Sequence, residues 1–210
     1  MQDYNYHQLI EQIGNMSAWK IFAVNAVTAE KVSPIVRTLG LPNTWQIVER
    51  SLALAWRSLS NSKEIVTEAE QLLNELNAVP EWQCENPDTL TFFLSMPLDI
   101  IHTALSAINM ERNVEMVHNI GFSHILDIAD QLDVAASDYP DLDSIRIAIG
   151  NAEKSSQMSI VAALAQYDFP SNELLEVLKQ ESKSISTLIE GALPTFCFSF
   201  VSSLCRKKLQ

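Results

Sequence analysis

SAWKIFAVNAVTAEKVSP, residues 17–34, decides what kind of fold this chain adopts. Trp19, Phe22, Ala23, Ala26, Val27 and Ala29 recur at near-helical spacing, which lines them along one face of a helix. Ser17 stands just ahead of the run, where the first free N–H groups of a helix need an acceptor, and is the expected cap. Pro34 has no N–H to continue the ladder and is expected to kink or interrupt the helix. Gly40, followed by Leu41-Pro42, is a good C-terminal stop.

Working outward, the same logic repeats. Asp3 to Ile13 reads as a short helix ended by Gly14-Asn15. Asn43 or Thr44 starts a helix whose stripe is Ile47, Val48, Leu52, Ala55, Trp56 and Leu59. Ser62 is placed to cap Lys63–Ala78, buried through Ile65, Val66, Ala69, Leu72, Leu73 and Leu76. Val79–Asp88, VPEWQCENPD, is the longest irregular connection. A strongly apolar helix then runs from Asp88 or Thr89 to near Met110, broken near its middle by Pro97. Asn113–Ser137 is another long helix, Asp143-Ser144 opens one to near Tyr167, and a turn at Asp168–Ser171 precedes one to Glu190. The last helix begins near Pro194. No Asn-Gly or Asp-Gly pair marks a hairpin, and long alternating Val/Ile/Thr runs are absent. The expected fold is all-α, a single-domain bundle of eight or nine helices over residues 1–210 with short loops and no dividing linker.

Composition narrows the setting. With 210 residues at 47% hydrophobic the chain has ample material for a core. Cys84, Cys197 and Cys205 form no disulfide framework and lack metal-ligand spacing. The opening MQDYNYHQLIEQ has neither a basic stretch nor an apolar one, so no signal peptide is visible. The charge-free run Gly191–Cys205 is interrupted by Pro194 and is shorter than the roughly 20 apolar residues of a span. With Arg206-Lys207-Lys208 behind it, it reads as a docked terminal helix whose cations sit at its negative end. A cytoplasmic protein with no membrane partner is expected.

Few residues invite chemistry. Asp99-Ile-Ile-His102 and Glu115-Met-Val-His118 have the carboxylate-x-x-histidine spacing that places both ligands on one helix face, as in di-iron bundles. Companion glutamates on apolar faces are missing, so a satisfied histidine is the simpler reading and no metal or other cofactor is expected. His7 and His124 have no partner pattern. No Gly-x-Ser-x-Gly or activated cysteine appears, and 5 scattered glycines build no phosphate loop. Thinly spread bases without interleaved aromatics disfavour nucleic acid.

Charge is the sharper lead. The chain carries a net −12, yet residues 64–143 hold 16 acids and one base, Arg112, while the remainder holds 10 acids and 13 bases. A segregated field of this kind attracts basic partners and speeds their association by about 10–1000-fold. Two acidic stretches include aromatics, which protein interfaces favour as anchors. One is the loop with Glu81, Trp82, Glu85 and Asp88; the other runs through Asp127, Asp130, Asp133, Asp138, Tyr139, Asp141 and Asp143. The expected partner-binding residues are Glu81, Glu85, Asp88, Asp130, Asp133, Asp138 and Asp141 as charges, with Trp82 and Tyr139 as anchors.

Trp19 followed by Glu30-Lys31 and Pro34 resembles the opening of the YjaG family of uncharacterised helical bacterial proteins. Ile47 through Trp56, the run into Pro80, Pro97-Leu98-Asp99 and the Leu-rich Asn172–Gln180 extend the likeness over most of the chain. The resemblance implies an all-helical domain of this size and assigns no catalytic residue. A similar Trp…Glu-Lys/Arg-Val-x-Pro opening in Ala-rich helices occurs among immunity proteins of bacterial toxin delivery systems, which are small and acidic. The resulting expectation is a non-enzymatic immunity protein that neutralises a basic toxin, a nuclease domain. The alternatives are a metal-binding bundle using Asp99, His102, Glu115 and His118, and a helical protein of housekeeping role.

Overall fold

The computed structural model describes residues 5–60, 65–83, 89–109 and 140–207. Among them there are seven helices and no strand. We number them α1 (Tyr6–Gly14), α2 (Ala18–Leu39), α3 (Pro42–Ser60), α4 (Val66–Asn77), α5 (Thr89–Asn109), α6 (Pro140–Ala165) and α7 (Asn172–Lys207). The fold is all-α, as the periodicity predicts. The expected helix over Asn113–Ser137 lies outside the described residues.

α2 is the central element. Of its 22 residues, 14 are buried, so the helix is enclosed rather than laid along a surface with one face in water. Its small residues make this possible: Ala23, Ala26 and Ala29 are fully buried and let neighbouring helices approach closely. α7, α5 and α3 pack around it, with α1 at its start, while α6 packs chiefly on α7 and α4 on α5. Trp19 and Phe22, members of the expected apolar face, are half-buried, while Ala23, Ala26, Val27 and Ala29 of that face are buried.

Local rules explain the boundaries, with instructive departures. Asn5 Oδ1 accepts from the Gln8 N–H at 3.2 Å and caps α1. Ser171 Oγ accepts from the Leu174 N–H at 3.1 Å and caps α7. Ser17 occupies the cap position of α2, but its hydroxyl makes no capping bond. Gly40 ends α2 because of closeness, not backbone handedness: a Cβ there would lie 2.7 Å from the Val36 carbonyl oxygen, to which the Gly40 N–H donates. α3 then begins with Pro42, whose missing N–H would have no partner in a first turn anyway.

Pro97 and Pro194 correct the sequence reading, and Pro34 does not end α2. Pro34, Pro97 and Pro194 all lie inside helices that continue past them. At Pro34 the local compensation is visible. The Glu30 carbonyl would have received the N–H of residue 34; it accepts instead from Ser33 Oγ at 2.9 Å. The segments expected to end at Glu190 and restart near Pro194 are one 36-residue helix, α7. A proline in a helix interior costs about 3 kcal/mol, which burial of several large side chains on the same helix exceeds.

Among the described residues the core has two apolar clusters strung along the long helices. One gathers α4 and α5 with Val32, Ile35 and Val36 of α2 and Ile185, Ile189 and Leu193 of α7. The other gathers α1 with Ala23, Val24 and Val27 of α2, Ile160 and Leu164 of α6, and Leu174 and Leu178 of α7. Replacing Leu98, which is fully buried in the first cluster, by Ala is expected to cost about 2–5 kcal/mol in a chemical denaturation experiment. Phe169→Ser, at a side chain 78% exposed in the α6–α7 turn, is expected to leave the midpoint nearly unchanged.

Candidate functional site

Of the residues expected to meet a partner, Glu81 and Trp82 are described in full. Both follow the end of α4, in a turn where the Trp82 N–H donates to the Val79 carbonyl at 3.1 Å. The Glu81 carboxylate reaches the start of α3. It accepts from the Leu41 N–H at 2.8 Å and from the Thr44 hydroxyl at 3.0 and 2.9 Å. An anion at this position satisfies free donors and faces the positive end of the helix dipole. Glu81 therefore works as a cap supplied from forty residues away. Trp82 packs against the first core cluster, and its ring lies on that of His102, centroids 5.1 Å apart and planes tilted by 36°. Both side chains are half-buried and engaged within the fold.

Asp99 and His102 sit one turn apart on α5. Burial pushes the His102 imidazole below its ordinary 6.5, against an upward pull from the Asp99 charge. Its Nδ1 lies 3.5 Å from Ser106 Oγ, at the limit of a hydrogen bond. Among the described residues no three His, Cys, Asp or Glu side chains gather as a metal ion would require. Glu115 and His118 lie outside the described residues, as do Glu85, Asp88, Asp130, Asp133, Asp138 and Tyr139. Asp141 lies in the first turn of α6.

Other members of the acidic stretch have partners on α3. Arg50 donates to Glu75 at 2.7 Å, and Arg57 pairs with Glu68. The bond from Arg50, seconded by Gln71, holds the Glu75 carboxyl below its usual range. Both pairs are exposed and contribute little to stability, yet they bring two bases to the acidic α4 that its own sequence lacks.

Sequence reasoning missed a polar group at the centre of the molecule. Lys31 of α2 and Glu153 of α6 are fully buried. Lys31 Nζ donates to both carboxylate oxygens, at 3.0 and 2.8 Å, and Gln157 Nε2 donates to one of them at 3.0 Å. Burial pushes the Lys31 amine below its ordinary 10.5 and the Glu153 carboxyl above its ordinary 4.5, while the two charges oppose these shifts. The half-buried Glu181 of α7 acts on both. The sequence offered little signal for it: Lys31 stands beside Glu30, and Glu153 beside Lys154 in the polar run Gly150–Ser159, so neither reads as a lone charge on an apolar face.

No protein-family model matches this chain, and no curated protein does. Among solved structures it is similar to the crystal structure of a DUF416 family protein from Shewanella baltica OS155. The TM-score is 0.63 at 16% identity, over 83% of this chain and 93% of that one. At that identity the likeness shows the fold alone: an all-helical arrangement shared over most of both chains. Among the described residues no helix is long and apolar enough to cross a membrane.

Two outcomes are expected here. Glu81→Ala removes the anchor of α3's first turn and lowers stability by about 0.5–2 kcal/mol, read from the denaturation midpoint. His102 binds a proton less readily folded than unfolded, so its contribution weakens stability as pH falls through 6.5 toward the folded-state value. The drop in Tm between about pH 8 and about pH 5 is therefore smaller in His102→Gln than in the parent chain.

Proposed function

We propose that this chain is a binding protein whose acidic surface neutralises a basic protein toxin, a nuclease domain, in the manner of a helical immunity protein. The likeness of Trp19, Glu30-Lys31 and Pro34 to the YjaG opening, and of the architecture to immunity proteins, belongs to the same proposal. The observation that carries it is the segregation of charge: 16 acids against one base over residues 64–143 in a chain whose other residues are slightly basic.

Within this proposal the acids already engaged inside the fold carry less weight. Glu81 is occupied by the start of α3, Glu68 and Glu75 by arginines of α3, and Trp82 by His102. The weight of the proposal therefore moves to Glu85, Asp88, Asp130, Asp133, Asp138 and Asp141, with Tyr139 as the aromatic anchor. Such a surface steers encounter through long-range attraction and gains affinity where a carboxylate and a toxin cation are desolvated together. It requires no catalytic group or cofactor in this chain.

Co-expression with the protein domain encoded immediately upstream tests the reading. The expected result is a retained complex and loss of that domain's toxicity. Replacing Asp130, Asp133 and Asp141 together by Asn is expected to weaken the complex by about 2–5 kcal/mol for each buried pair lost and to flatten its salt dependence. Unchanged affinity and salt response would rule out the mapping; an upstream domain that neither binds nor harms the cell would rule out the antidote role.

A further inference from the structure

On α3 the two apolar clusters meet directly at Leu54 and Ala55, but on α2, α6 and α7 buried polar side chains stand between them. Between Val27 and Val32 of α2 the buried side chains are Thr28, Ala29 and Lys31. Between Ile149 and Ile160 of α6 they are Glu153, Ser156 and Gln157. Between Leu178 and Ile185 of α7 the buried one is Ser182. Three helices thus present polar side chains at one level, with an apolar cluster on either side. Thr28 and Ser182 return their hydroxyls to carbonyls of their own helices. Lys31, Glu153 and Gln157 join side chain to side chain across and along this level.

A buried ion pair is weak evidence for stability, because an apolar replacement of similar volume often does as well. What it supplies is direction. α6 meets the clusters through Ile149 on one side and Ile160, Val161 and Leu164 on the other, with no large buried apolar side chain over the turns between, so its middle is positioned by polar contacts. Its backbone packs mainly on α7, not on α2, and the long Lys31 stem bridges that gap. Sliding α6 by one turn displaces the Glu153 carboxylate by about 5 Å, beyond any hydrogen bond to Lys31 Nζ.

We propose that the Lys31–Glu153 pair, held by Gln157, is a register lock that sets α6 at a single position against α2 and α7 and so joins the two apolar clusters into one arrangement. Glu181 is the other acid facing Lys31. It lies on α7, which already packs directly on α2, so it adds charge to the level without reporting the position of α6.

The test uses the full chain carrying Lys31→Met, Glu153→Met, or both. Each single variant leaves one buried charge uncompensated, and its Tm is expected to fall by about 10 °C. The double variant is expected to recover most of that loss, yet to show more than one set of backbone amide resonances, or lost exchange protection, in residues 149–160 and 178–185. A double variant with one resonance per residue and parental protection throughout overturns the proposal, because the register is then set without the pair. Should the double variant not fold, Lys31→Arg decides, since it keeps the charge pair. A folded Lys31→Arg chain with a single set of resonances supports the lock, and its failure alongside the double variant overturns it.

Discussion

Enclosing α2 is the constraint from which the rest of the structure follows. A helix surrounded by neighbours needs small residues where backbones come close, and Ala23, Ala26 and Ala29 provide them. It must also deal with every polar atom it carries inward. Asn25 and Thr28 bond back to the carbonyls of Ile21 and Val24, and Ser33 takes the Glu30 carbonyl left free by Pro34. Lys31 cannot be satisfied within its own helix, and Glu153 on α6 answers it. An isolated buried cation would be far more costly than any contact along this helix gains.

The edges of the molecule use electrostatics differently. Trp56 Nε1 donates to Glu30 at 3.1 Å while Lys179 lies over the same ring, so an acid, an aromatic and a base from three helices meet at the rim of the second cluster. Arg37 stands over the Trp45 ring and pairs with Glu190. These contacts are partly solvated and individually small. They engage cations of α2 and α7, whereas Arg50 and Arg57 of α3 offset part of the negative charge of residues 64–143.

Helix existence was legible because it depends on short-range spacing. The stripe in α3, the turn at Asp168–Ser171 and the stop at Gly40 each report a local backbone preference that tertiary contacts did not reverse. Pro97 and Pro194 were misread for the opposite reason. A proline's cost is local, but the packing that outweighs it at residues 34, 97 and 194 is not written near it. Among the candidate partner residues, Glu81 shows the same limit. An exposed-looking acid in a turn gives no hint that the first turn of α3 lies within 3 Å of its carboxylate.

The amino-acid sequence by itself determined the helical class, most helix boundaries to within a few residues, and the one-sided distribution of charge. Each of these is a property of neighbours along the chain or of a simple count. Tertiary structure alone decided that α2 is enclosed, that Glu81 caps a helix forty residues earlier, and that Lys31 meets Glu153 across a separation of 122 residues. Such pairings depend on which helix faces which, and helical periodicity states only that a face exists, not what it meets.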